Sequence, residues 1–249
     1  MRIKNLKLSL ILIGISGAFV ACSKDDDKLE ETPNYGRMSI NAKASYSPEA
    51  GKNGAQRSSS DIELSRFLVN FKEIELEYDD IIDDGDNIYN GEDEIELKGP
   101  FEVDLLSPVP IPLVEFRVPN GRLEEIEFEF DKSSNPDSEI YNQSMRMDGT
   151  INGTPFVFWH DFEDEIELEF DDDNNNSVIN GDLNHILINF DLNAVFDPET
   201  GVDLSLAADG NGNGIIEIGP RDEDGNNALA EAIKRAIKNQ IELLEDHYD

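Results

Sequence analysis

From Tyr35 onward the chain alternates apolar and polar residues with a period of two. "KEIELEYD" sets Ile74, Leu76 and Tyr78 against Glu73, Glu75 and Glu77. "EEIEFEFD" sets Ile126, Phe128 and Phe130 against Glu125, Glu127 and Glu129, and "DEIELEFD" repeats the device with Ile166, Leu168 and Phe170. "HILINFDL" puts Ile186, Ile188, Phe190 and Leu192 on one face. Successive side chains of a strand point to opposite faces, so this pattern predicts half-buried strands of antiparallel sheets. Further strands are expected over Arg37–Tyr46, Glu94–Leu97, Phe101–Leu106, Leu113–Val118 and Ser144–Trp159.

Turn residues punctuate these runs. Asn152-Gly153, between "MRMDGTI" and "TPFVFWH", is a hairpin signal, and Asn120-Gly121 marks a second turn. "SPVPIP", Ser107 to Pro112, lacks the N–H donors an interior strand needs. About eight or nine short strands without a βαβ rhythm predict a mainly β fold, an antiparallel β-sandwich.

Near the end the period changes. Leu229, Ile233, Ile237, Ile241 and Leu244 form one helical stripe, with Ala232 and Ala236 between them. Asn226 or Asn227 can cap its start, and Glu231–Arg235 and Lys238–Glu242 have i,i+4 spacing. A C-terminal amphipathic α-helix of about 18 residues, docked on the sheets, is expected.

The N-terminus carries an address. Arg2, Lys4 and Lys7 precede an apolar run from Leu8 to Ala21, too short to span a bilayer and suited to a signal peptide. The run ends at Cys22, the sole cysteine. "FVAC" resembles a bacterial lipobox, with Phe19 where Leu is usual, which implies cleavage after residue 21 and acylation of Cys22. More than one acyl chain on that residue anchors a protein stably. Acylation leaves no thiol for disulfides or catalysis. "SKDDDKLEETPN" then reads as a flexible acidic tether over residues 22–35. "CSKDDD" resembles the export signal of Bacteroidota surface lipoproteins, which implies an outer-membrane protein facing the cell exterior.

Charge narrows the partners. The chain has 249 residues and a formal net charge of -35, and signal cleavage removes three positive charges more. A polyanion repels nucleic acid and anionic lipid, so cations or cationic surfaces are the expected partners, beside the membrane reached through the lipid anchor. The outward glutamates pose a problem, because like charges directly opposite each other on neighbouring strands destabilise a sheet. Either the glutamate strands are not neighbours, or cations stand among them. A habitat of seawater-like salt, with a Debye length of roughly 4 Å, is the alternative to specific cation binding.

"ELKGPFEVDLL", "VPNGRLEEIEFEF", "GTINGTPFVF" and "LVNFKEIELEYD" together resemble the Bacteroidota lipoproteins grouped as domain of unknown function 4382, over roughly residues 36–196. The resemblance implies a β-sandwich in the envelope and carries no catalytic residue with it. Residues 197–249, an Asp/Asn/Gly-rich loop and the helix, read as an addition to that domain.

Two loops offer oxygen ligands at the spacing of a calcium loop, which takes positions 1, 3, 5, 7, 9 and 12. In "DDDNNNSVINGD" these are Asp171, Asp173, Asn175, the Ser177 carbonyl and Asp182, with Asn176 at the usual glycine position. In "DGNGNGIIEIGPRDED" they are Asp209, Asn211, Asn213 and Glu217, with Gly214 at position 6. Pro220 falls at position 12, so Asp222 or Asp224 must fold back to complete a shell, and Ca2+ binding there is expected to be weak. A polar hairpin and a Gly/Asn linker are the alternatives. A third acidic run, Tyr78 to Glu94, lacks the spacing and reads as a solvated hairpin loop.

His160, His185 and His247 stand apart, with no HxH or HExxH, which points away from zinc or copper. No GxSxG elbow or P-loop occurs. Trp159 in "TPFVFWHDF" is either a glycan-stacking platform or part of the core. The expectation is therefore a non-enzymatic surface lipoprotein that binds an envelope partner and is stabilised by calcium. Its rivals are a glycan-binding accessory protein and a hydrolase.

Overall fold

The computed structural model describes residues 35–47, 62–81, 94–170, 178–179, 183–197 and 199–245. The chain is mainly β, as its period-two pattern predicts. Its strands are β1 (Tyr35–Ser45), β2 (Ile62–Ile81), β3 (Glu94–Asp104), β4 (Ile111–Pro119), β5 (Gly121–Phe130), β6 (Met145–Ile151) and β7 (Thr154–His160), then β8 (Asp164–Glu169), β9 (Val178–Ile179), β10 (Leu183–Asp191), β11 (Ile216–Ile218) and β12 (Ile241–Glu245). A short helix α1 (Leu192–Val195) follows β10, and α2 (Asn227–Lys238) precedes β12.

β2 is the spine of the larger sheet. Leu68 pairs with Asp104 of β3 and Arg146 of β6, while Ile74 pairs with Leu97 of β3 and Phe128 of β5. β3 therefore occupies one edge of β2, and β6 and β5 lie end to end along the other. A bulge at Lys72 marks the junction. β7 pairs with β6 and β8 with β5, so β7 and β8 also run in line, broken only by Asp161–Glu163. β9 pairs with the start of β5 at Gly121 and Arg122, beyond the end of β8.

The smaller sheet has the order β12-β10-β1-β4. Pro112 and Pro119 sit on β4, an edge strand, where a missing donor costs no ladder bond. Asn120 is a corner between β4 in this sheet and β5 in the other, rather than a hairpin turn. The Asn152-Gly153 hairpin is as expected, with φ of 51° and 79°. Positive φ at both residues is the turn that matches strand twist.

The all-antiparallel expectation needs correction, because β1 pairs with β10 and β11 with β7 in parallel. A parallel pair needs a long crossover, which local turn signals do not announce. The C-terminal helix is present but ends at Lys238 rather than near residue 244. Ile241 and Leu244 lie in β12, antiparallel to β10. As a strand, 241–245 pairs the edge of β10, whose backbone groups a helical continuation would leave open. The segment after residue 197 thus adds one strand to each sheet.

One core is shared by both sheets. Met38, Ile40, Ile188 and Phe190 from the smaller sheet join Phe67, Phe71, Ile74, Leu76, Phe128 and Phe130 from the larger, all nearly inaccessible to solvent. Phe190 meets Phe67 at 5.7 Å and Phe71 at 6.2 Å between ring centroids. Each fully buried side chain of this size stabilises the fold by about 1.5–3 kcal/mol. Ala230, Ile233 and Ile237 of α2 enter the same core.

Candidate functional site

The glutamates that alternate with this core assemble into an array. On the opposite face of β3, β2, β5 and β8, the register stacks three rows. Lys98, Glu73, Glu129 and Glu165 form the first, Glu96, Glu75, Glu127 and Glu167 the second, and Glu94, Glu77, Glu125 and Glu169 the third. Eight glutamate pairs stand directly opposite one another. The strands are neighbours, so the first of the two escapes from like-charge repulsion is closed. Neighbouring strands are about 4.8 Å apart and like-facing residues of one strand about 7 Å apart. At the closer spacing each pair of full charges repels by about 1 kcal/mol even with the dielectric of water.

Two lysines answer part of this. Lys72 reaches Glu129 at 2.6 Å, and Lys98 reaches Glu96 at 2.7 Å and Glu73 at 3.8 Å. Both lie toward the Glu73 row. In the middle row, burial first and then the neighbouring carboxyls push Glu75 and Glu127 up to about 7. Glu75 shares a hydrogen bond with Glu94, and Glu127 with Glu165. Burial and the Glu77 charge also raise Glu125. Around neutral pH the array either holds protons between carboxyl groups or takes up cations in their place.

The loop from Asp209 to Asn227 is built around carboxylates that accept backbone N–H groups. Asp209 Oδ1 accepts from Gly212 at 2.7 Å and Asn213 at 3.1 Å, and Oδ2 from Gly214 at 2.8 Å. Asn211 accepts from Asn213 at 2.9 Å, and Asn213 from Ile215 at 2.8 Å. Gly214 has φ of +89°, the sharp turn that glycine supplies at position 6 of a calcium loop. Asp224 folds back across the loop, with Oδ1 accepting from Asn211 at 3.0 Å and Oδ2 from Glu217 at 2.7 Å.

Counting lone pairs separates the candidate ligands. An ionised carboxylate has about four acceptor sites. Asp222 uses all of them, on the backbones of Gly219, Gly225 and Asn226 and the side-chain amide of Asn227. It ties the loop to the start of α2 and has nothing left for an ion. Asp209 Oδ2, Asn211, Asn213, Glu217 and both oxygens of Asp224 keep spare lone pairs. These are hard oxygen donors of the type Ca2+ takes, and Asp224, unlike Pro220, brings a carboxylate back to the Asn211 backbone. Among the described residues, no three His, Cys, Asp or Glu side chains are already gathered as a metal cage.

Asp171, Asp173, Asn175, Ser177 and Asp182 lie outside the described residues, as do Cys22, the rest of the N-terminal segment and most of the third acidic run. The flanks of the first loop, β8 and β9, run along the same edge of β5, so they are not the two arms of a hairpin. Tyr78 and Glu94 do flank an antiparallel pair, β2 and β3.

Trp159 is half-buried on the face of β7 opposite the buried Phe156 and Phe158. A Cβ at Gly219 would strike its ring, and the Arg221 guanidinium lies 5.5 Å from the ring centroid while pairing with Asp161. The ring is thus partly covered by the loop and belongs to neither an open platform nor the core. Among these features the glutamate alternation was visible in the chain, but its alignment across four strands was not. In the sequence His160 is an isolated histidine without a motif, and the fold buries it at the end of β7 against α2.

No protein-family model, curated protein or solved structure matches the chain.

Proposed function

We propose that this chain is a non-enzymatic lipoprotein, acylated at Cys22 and carried on the exterior of an outer membrane, whose folded part binds divalent cations and presents the loaded surface to an envelope partner. The register of the glutamates carries the cation part of this reading. Eight in-register like-charge pairs require compensation, and a divalent ion between two carboxylates supplies it at any pH where both are ionised. The loop from Asp209 to Asp224 supports the same chemistry, with Asp209, Asn211, Asn213, Glu217 and Asp224 as oxygen donors for Ca2+. The lipobox-like "FVAC" and the acidic "SKDDD" after it support the location.

To the same reading belong the β-sandwich arrangement and kinship with the domain of unknown function 4382 lipoproteins. The Phe190 contacts with Phe67 and Phe71 support face-to-face packing of the sheets. The test is calorimetric titration of the chelator-stripped full chain with Ca2+, with Mg2+ as control. Binding heat and a raised melting temperature are expected. Absence of both defeats the cation reading and leaves the lipoprotein reading to be judged by mass analysis of Cys22.

A further inference from the structure

His160 closes the end of β7 beneath α2, and its side chain is only 5% exposed. The Phe162 backbone N–H donates to Nδ1 at 3.0 Å, which puts the ring proton on Nε2. Nε2 lies 3.1 Å from Glu231 Oε1 on α2. Both nitrogens are therefore committed with the ring neutral. A second proton, on Nδ1, would set an N–H against the N–H of Phe162. Relief requires the ring to turn, which breaks the contact to α2, or the 161–163 turn to open.

We infer that His160 is a proton-operated latch: in mild acid it loosens α2 from the end of β7. Asn226 and Asn227, at that helix start, hold the carbonyls of Ala208, Glu217 and Gly219, so loosening of α2 is felt by the loop while β11 stays paired with β7.

The charged groups around the ring set the direction. From α2, Glu231 favours the charged ring and Lys234 opposes it; from the turn, Asp161 favours it, but is itself engaged by Arg221. Burial outweighs them, and the ring titrates below its ordinary value. A group whose folded pKa is depressed stabilises the folded arrangement above its free value, about 6.5 for histidine, and the contribution is lost as pH falls from there through the folded value. The other polar tie of α2 to this region, Lys238 to Asp164 at 2.5 Å, does not titrate in the same window, because Lys238 holds the Asp164 carboxyl below its usual range.

The test is amide hydrogen exchange of the full chain between pH 7.5 and 5.0, corrected for intrinsic rates and comparing 227–238 with β2. Protection of α2 relative to β2 is expected to fall about tenfold across this range in the native protein. His160→Gln removes that dependence. The array glutamates titrate in both proteins alike, so the difference between them belongs to His160. Glu231→Gln, which leaves the ring intact and removes the charge that favours its protonation, deepens the fall. Equal loss of protection in α2 and β2, the same fall in His160→Gln, or no deepening in Glu231→Gln overturns the latch.

Discussion

Asp222 and Asp224 stand two residues apart and differ in one property, the number of lone pairs left after their hydrogen bonds. Asp222 accepts four bonds and organises Gly219, Gly225, Asn226 and Asn227. Asp224 accepts two and faces across the Asp209 loop. Asp222→Ala should therefore destabilise the protein by about 1–3 kcal/mol, equally with and without Ca2+, because it strands donors whatever the ion does. Asp224→Ala should cost less in chelator and abolish the loop's share of the Ca2+-dependent rise in melting temperature. Urea melts of both variants with and without Ca2+ measure the difference. The same Ca2+ increment in Asp224→Ala as in the native chain would remove Asp224 from the ligand set. The spacing of "DGNGNG" made Asp209, Asn211 and Asn213 legible as a loop. The choice between Asp222 and Asp224 was not, since it depends on where the chain turns after Pro220.

At the scale of elements, the glutamate strands couple pH to stability. Glu75 and Glu127 titrate at about 7 in the folded protein, above the ordinary carboxyl value, so the folded state holds protons that the unfolded chain releases. Their contribution is full below the unfolded value, about 4.3, and is lost as pH rises through about 7. In low salt without divalent ions, the melting temperature should drop as pH is raised from 6 to 8. Glu127→Gln should recover about 1 kcal/mol at pH 8 and flatten the profile. The sign is opposite to that of His160 over part of the same range, which is why the two need separate variants. A melting temperature that rises from pH 6 to 8 in His160→Gln would contradict the array argument. The strands themselves were legible, since Ile126, Phe128 and Phe130 alternate with glutamates at a period no helix shares. Their partners were not, because register is decided by tertiary pairing and the loops between these strands vary in length. The end of α2 at Lys238 departs from the helical stripe for a related reason. Ile241 and Leu244 satisfy a helical stripe, while Ile241 and Leu243 satisfy strand alternation, and only the open edge of β10 decides between them.

For the molecule as a whole, the net charge of -35 sets two accounts against each other. In one, the acidity is general: self-repulsion is relieved by any salt that shortens the Debye length from about 30 Å at 0.01 M to about 3 Å at 1 M. In the other, the array and the Asp209 loop hold particular ions. The two predict different curves. General screening makes stability a function of ionic strength alone, so CaCl2 and NaCl at matched ionic strength give one melting temperature. Site binding makes stability rise as RT ln(1 + [L]/Kd), with gains at millimolar Ca2+ where the ionic strength has hardly changed. At moderate salt the geometry favours the second account, because eight opposed pairs on strands about 4.8 Å apart lie inside the Debye length of about 8 Å at 0.15 M and are incompletely screened by a diffuse ion cloud. Melting temperatures of the full chain should therefore rise by several degrees in a few millimolar CaCl2 and hardly move in NaCl of equal ionic strength. Coincident curves would return the acidity to its general role and leave the array a surface that ordinary salt is enough to hold together.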